Sequence, residues 1–229
     1  MRSSIRVSAR AALLALSAFC AASAMAQDPA KVASNIYKVR LDNARVRVLE
    51  VTGKAGQKAV MHKHPGYVVY SLADGSVKFT DAKGATADSE MKSGATMWRD
   101  AESHASEVVS DIHVLLFELK GAKKSAPAGA AKADDPVSVD PGHFKVLLDN
   151  ERVRVLDYQA APGEKTPMHS HPGYITYDFT GGRTMFTYPT AKSVERMPKA
   201  GDVTWHAAET HAGQVTGDRA VHVLLVEIK

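Results

Sequence analysis

Residues 61–67 read MHKHPGY, and residues 168–174 read MHSHPGY. Each copy places two histidines one residue apart and follows them with the same Pro-Gly-Tyr. On an extended strand successive side chains alternate between faces, so both imidazoles of an H-x-H pair point the same way. The flanks repeat as well. LDNARVRVLE (41–50) returns as LDNERVRVLD (148–157), and HVLLFELK (113–120) returns as HVLLVEIK (222–229). A third histidine recurs in AESHA and AETHA, so that His62, His64 and His104 find counterparts in His169, His171 and His211, each 107 residues on. Self-similarity at a fixed spacing means two homologous units in one chain.

Within each unit the local pattern is that of strands. RVRVLEV and RVRVLDY alternate polar and apolar side chains with period two, and short β-rich runs are broken by HPG, ADG, DAKG and KSG turns. No long segment of period 3.6 intervenes, which predicts an all-β sandwich or small barrel. The stretch GAKKSAPAGAAKADDP (121–136) has no large apolar side chain and reads as an exposed linker. The expected organisation is a first domain over 27–120, a linker over 121–138 and a second domain over 139–229.

Residues 1–26 read as a cleavable secretory leader. Arg2, Arg6 and Arg10 precede an apolar run too short for a membrane span, and AMA precedes Gln27. Cleavage after Ala26 predicts a periplasmic or secreted protein. It also removes Cys20, the one cysteine, so disulfides, thiolate ligands and a cysteine nucleophile are excluded from the mature chain. Without the three arginines the net charge falls from +4 to +1. That near-neutral balance gives no electrostatic basis for nucleic acid, or for membrane association once the leader is gone.

One H-x-H pair could be exposed or hydrogen-bonded histidines and nothing more. Two pairs, each with a matching third histidine, form two equivalent triads, and three nitrogen ligands with open positions describe a catalytic rather than a closed structural metal site. The run Gly56, His62, His64, Gly75, repeated as Gly163, His169, His171, Gly182, resembles the first motif of the cupin superfamily. Gly94 to His104 and Gly201 to His211 resemble the second. The resemblance covers nearly the whole mature chain and implies a bicupin: two tandem antiparallel β-barrels of jelly-roll type, with metal held inside each.

The departures from that pattern are informative. Where manganese cupins usually add a glutamate, four residues after the second histidine, this chain has Val68 and Ile175. The second motif is one residue short, lacks its usual proline and glycine, and has Val108 and Val215 where asparagine is common. A three-histidine site is expected instead, as in cupin dioxygenases that cleave thiols or diketones. Three neutral ligands favour Fe, Cu, Ni or Zn over Mn, and leave a divalent charge that attracts an anionic ligand and acidifies bound water.

Glu102 and Glu209 precede the third histidine by two residues, with the same strand parity. Each could be a fourth ligand, a partner that orients a histidine, a general base or a solvated carboxylate. Tyr70 and Tyr177 share the parity of the ligands and could line the cavity, although core packing suits them better. Trp98 and Trp205 are expected to pack the barrels, and His113 and His222 to be structural. His206 replaces Arg99 in the second copy alone, which removes it from any shared mechanism. The RVRVL arginines are expected on a solvated face or a dimer edge.

Three functions fit this reading. The first is a metal-dependent oxygenase or isomerase acting on a small organic molecule. The second is a periplasmic module that binds metal or a small ligand without turnover, and the third is an interaction domain, in which a homodimer is conceivable. Around the triads the two copies look too alike to say which one works.

Overall fold

The structure is a computed structural model that describes residues 27–121 and 134–229. Residues 1–26, the expected leader, and most of the expected linker lie outside the described residues. A short helix α1 (Pro29–Val32) opens the first unit. Nine strands follow: β1 (Tyr37–Asp42), β2 (Val46–Gly53), β3 (Lys58–His64), β4 (Tyr67–Ser71), β5 (Gly75–Asp81), β6 (Thr86–Met91), β7 (Thr96–Arg99), β8 (Glu102–Ser110) and β9 (Ile112–Leu119). The second unit repeats them as α2 (Pro136–Val139), β10 (Phe144–Asp149), β11 (Val153–Ala160), β12 (Lys165–His171), β13 (Tyr174–Asp178), β14 (Thr184–Thr187), β15 (Ser193–Arg196), β16 (Val203–His206), β17 (Glu209–Val215) and β18 (Val221–Ile228).

Each unit folds into a five-stranded and a four-stranded antiparallel sheet. The orders are β1-β2-β9-β4-β7 with β3-β8-β5-β6, and β10-β11-β18-β13-β16 with β12-β17-β14-β15. This is the expected pair of jelly-roll barrels. Among the described residues no helix is long and apolar enough to cross a membrane.

The central strands of the five-stranded sheets are buried on both faces, and the sequence of β9 shows why. Ile112, Val114 and Leu116 point into the first barrel, while Leu115, Phe117 and Leu119 point out of it. The outward set meets Val153, Val155, Ile175, Leu224 and Val226 of the second barrel in one continuous core. A strand covered on both sides needs apolar residues at successive positions, which is what HVLLFEL supplies. The contact is reciprocal at its rim. Arg45 lies over Trp205 and Arg152 over Trp98, each guanidinium 5.8 Å from its ring centroid.

Several expectations change at this level. Trp98 and Trp205 sit at the junction between the barrels rather than inside either. They also explain the glycine after each HPG proline, since a Cβ on Gly66 would come within 2.7 Å of Trp98 and one on Gly173 within 2.9 Å of Trp205. Tyr70 and Tyr177 belong to the inter-barrel core, not to a cavity. Their inferred parity fails because the chain crosses from one sheet to the other between His64 and Tyr67, which resets the alternation. Residues 134–138 belong with the second barrel, not the linker. Asp135 caps α2 as Asp28 caps α1, each accepting a backbone N–H at 3.0 Å, with proline at the first helical position of both.

Phe117 is fully buried in the inter-barrel core, so Phe117→Ala is expected to lower stability by about 3–5 kcal/mol. Urea unfolding followed by tryptophan fluorescence checks this, and a loss below about 1 kcal/mol would contradict a packed interface at that point.

Candidate metal centres and the two cavities

Strand pairing assembles each triad. β3 presents His62 and His64 on one face, and antiparallel pairing with β8 sets His104 directly opposite His62. β12 and β17 do the same for His169, His171 and His211. A register shift between Ala59 and His62, and its equivalent between Thr166 and His169, precedes each pair. The imidazoles converge, with ring centroids 4.7–5.3 Å apart in the first triad and 4.8–5.4 Å in the second. In each group one ligand atom from every histidine lies within 4.8 Å of the others, and all six residues are buried.

Hydrogen bonds settle which nitrogens are free. The Nδ1–H of His62 donates to the Val60 carbonyl and that of His169 to the Pro167 carbonyl, both at 2.7 Å. The Nδ1–H of His64 donates to Glu118 Oε1 at 2.6 Å, and that of His171 to Glu227 Oε1 at 2.7 Å. Carbonyls and carboxylates only accept, so each of these four rings carries a proton on Nδ1 and turns Nε2 away from that bond. His169 Nε2 is buried with no hydrogen-bond partner, as expected of an atom meant for a cation. Burial pushes both His62 and His169 down to about 4, so they are neutral donors at physiological pH. Buried neutral imidazoles with converging lone pairs suit a divalent transition metal, and the arrangement supports metal binding in both barrels.

The carboxylates behind the triads were not foreseen. Glu118 and Glu227 are each 1% exposed. Besides its histidine, each takes an arginine: Arg47 Nε donates to Glu118 at 2.5 Å and Arg154 Nε to Glu227 at 2.6 Å. The same arginines reach Asp28 at 2.8 Å and Asp135 at 2.6 Å. A chain Asp–Arg–Glu–His thus runs from the helix cap to a triad in each barrel. Burial alone would raise Glu227, but the bonds from His171 and Arg154 outweigh it and hold the carboxyl below its usual range. Arg47 and Arg154 therefore do not lie on a solvated face or dimer edge. They point into the barrels, because parity along β2 and β11 sets them on the same side as Leu49 and Leu156. Counting Asp, Arg and Glu together, one net negative charge stands behind each triad, so a divalent ion would not be left wholly uncompensated.

Glu102 and Glu209 stand close to the third histidines, 3.6 Å from His104 Nδ1 and 3.4 Å from His211 Nδ1. Tyr67 donates to Glu102 and Tyr174 to Glu209, each at 2.6 Å. Arg99 adds a two-pronged bond to Glu102 at 2.6 and 2.9 Å. Burial would raise these carboxyls, but the nearby histidine and the bonds from the arginine and the tyrosine outweigh it and hold both far below the usual carboxylate range. Groups fixed in the ionised form suit the orientation of a histidine better than general-base work near neutrality. Val68 and Ile175 face the inter-barrel core, and it is Tyr67 and Tyr174 that stand beside the triads.

The loss of Arg99 in the second copy is made good from another strand. Arg196 of β15 bonds Glu209 at 3.1 Å and lies 4.5 Å from the Phe186 ring centroid. Arg99 in the first barrel bonds Glu102 and lies 5.1 Å from Phe79, the equivalent ring. His206, freed from that task, stacks on Tyr174 at 4.6 Å. His113 and His222 are away from both triads, bonded to Glu50 and Asp157.

The barrels differ most in the space beside the histidines. The first encloses about 50 Å³, the second about 420 Å³. Tyr37, Val69, Val77, Met91 and Met97 fill the first; Phe144, Thr176, Thr184, Pro198 and Thr204 stand at the equivalent places in the second. In the first barrel the Tyr37 hydroxyl donates to His62 Nε2 at 3.2 Å, a contact that Phe144 cannot make. The copies are thus alike at the triads and unlike one layer further in.

No protein-family model and no curated protein matches the chain. Solved structures do. A variant of oxalate decarboxylase from B. subtilis is 14% identical, covering 84% of this chain and 75% of its own, with a TM-score of 0.59. AerE from Microcystis aeruginosa is 11% identical over 85% of this chain and 97% of its own, with a TM-score of 0.57. A cupin domain from Bordetella pertussis Tohama I is 27% identical over 38% of this chain and 91% of its own, at a TM-score of 0.35. The chain thus shares the fold of oxalate decarboxylase and AerE over most of its length.

Two outcomes follow from the hydrogen bonding. Glu118→Gln or Glu227→Gln is expected to weaken metal binding at its own barrel about 10–100-fold, read by competitive chelator titration; an unchanged affinity would remove the orienting role. Secondly, histidines depressed by burial bind protons more readily unfolded than folded. Their stabilising effect is complete above about 6.5 and is lost as pH falls through about 4. Metal-free protein should therefore lose stability over that window, by on the order of 2–3 kcal/mol for each of His62 and His169. A urea midpoint flat between those values would contradict it.

Proposed function

We propose that this chain is a periplasmic bicupin that holds a divalent transition metal in each barrel and works on a small organic molecule in the second barrel only. The observation that carries the reading is the second triad: three buried histidines, at least one with an unpartnered Nε2, opening onto a cavity of about 420 Å³. Such a volume is the size of a small-ligand site. The first barrel keeps the donors but fills the space, which fits a metal held for structure. The arginines at 2, 6 and 10, the apolar run after them and AMA before Gln27 support the periplasmic assignment.

His169, His171 and His211 would hold the ion, with Glu227 fixing His171 and Glu209 lying beside His211. When bound, a divalent ion supplies Lewis acidity and, if redox-active, a one-electron couple. Phe144, Phe186, Val223 and Leu225 limit water in the cavity, while His206 and Thr176, bonded at 3.2 Å, present polar edges. The similar B. subtilis oxalate decarboxylase is described with Mn(II) centres. Here the groups that converge are imidazoles, and no carboxylate stands among them, which favours Fe, Cu, Ni or Zn. Oxygenase or isomerase chemistry on the bound molecule fits this centre. Binding without turnover is favoured by one observation instead: the carboxylates beside the triads, Glu102 and Glu209 as well as Glu118 and Glu227, are all engaged by arginines.

Elemental analysis of mature protein, purified without chelator or affinity tag, tests the reading. About two equivalents of one transition metal are expected, falling to about one in His169→Ala and in His62→Ala. Protein that holds none and takes none up on titration would overturn it.

A further inference from the structure

The second cavity has another end. Four residues beyond Tyr174 along β13, about 13 Å at the usual strand rise, Asp178 lines the cavity with Asp202, Thr176, Thr184 and Thr204. The equivalent positions in the first barrel are Ser71, Ala95, Val69, Val77 and Met97. Five places that are small or apolar in one copy have become two acids and three threonines in the other. They have done so in the barrel that kept its cavity.

Asp178 is the unusual member. It is 5% exposed, and its carboxylate makes no hydrogen bond or ion pair among the described residues. Asp202 directs one oxygen to the Lys199 backbone N–H at 2.7 Å and brings a second negative charge to the same end. Arg196 is the one lysine or arginine lining this cavity, and Glu209 already binds it. A buried carboxylate without a partner is costly, and burial first, then Asp202, raises Asp178 to about 7. Arg40 reaches the neighbouring Gly201 carbonyl at 2.7 Å but is paired with Glu50, so a cation carried by the ligand would complete this end.

We infer that the Asp178–Asp202 end of the second barrel recognises a protonated amine carried by the organic ligand, while the histidine end takes the ligand's opposite terminus. The ligand class is a small aliphatic amine whose body lies along Phe144, Val221, Val223 and Leu225. A hard inorganic cation is disfavoured. It requires six or more oxygen ligands, and this end offers two carboxylates, one of them half engaged, and hydroxyls beside an apolar wall. The inference builds on the second barrel as the ligand chamber, but amine recognition does not itself require the metal.

The test is calorimetric titration of the full mature chain, metal-loaded and metal-free, with pentylamine, 1-pentanol and pentanoate at about pH 8. Pentylamine is expected to bind in both forms at least about ten-fold more tightly than the alcohol. Asp178→Asn is expected to lose about ten-fold for the amine, with metal content unchanged and thermal stability equal to or above that of the parent, since an unpaired buried charge is removed. Asp202→Asn should lose less. Equal binding of amine and alcohol, an unaltered amine affinity in Asp178→Asn, binding of calcium in place of the amine, or no binding of any probe would overturn the inference. Amine recognition without metal at the triads would sink the proposed function and leave this site standing. Metal at both triads without amine preference would do the reverse.

Discussion

Strands β9 and β18 have no face exposed to water, and the rest of the molecule is arranged around that constraint. Their outward side chains form the core between the barrels, so neither unit presents a water-compatible five-stranded sheet by itself. Their inward side chains end in Glu118 and Glu227, carboxylates sealed in the interior. A charge in that position must be paired. The pairing draws in Arg47 and Arg154 from the neighbouring strands, then Asp28 and Asp135 from the helix caps, and on the other side fixes His64 and His171. One buried carboxylate per barrel thereby ties the entry of the chain, the central sheet and a metal-site histidine into a single network.

That network separates two duties that the repeated sequence presents as one. The histidines and their carboxylates are the same in both copies because each barrel needs its triad oriented. The layer around them is free to diverge. In the first barrel it has filled with valine and methionine, and the Tyr37 hydroxyl turns toward His62. In the second it has opened and acquired polar groups. The guanidinium that secures the carboxylate near the third histidine moved from Arg99 on β7 to Arg196 on β15 while keeping its aromatic neighbour.

Much of this was legible in the chain. The period-two runs and the turns pointed to the barrels, and the H-x-H pairs with their third histidines pointed to both triads residue by residue. Glu118 and Glu227 were not legible, because they sit inside apolar runs and meet arginines some seventy residues away through β2–β9 and β11–β18 pairing. Arg47 looked solvated for the same reason: local alternation shows which residues share a face, not what covers it. Core packing of Tyr70 and Tyr177 was legible, but their seeming shared parity with the histidines was not a guide, because alternation does not carry through a turn that changes sheets. The divergence of the cavities was written in the sequence as Val69 against Thr176 and Ser71 against Asp178. Only the fold shows that these positions face the same space.

Two ion sites and one ligand chamber are what the proposed function requires of this molecule. Crystals of the metal-loaded protein soaked with 5-aminopentanoate, with data collected at the absorption edge of the bound metal, would test this most directly. An anomalous peak is expected within each histidine triad, with density for the organic molecule in the second barrel alone, its ammonium against Asp178. Organic density in the first barrel, or no metal between His169, His171 and His211, would contradict it.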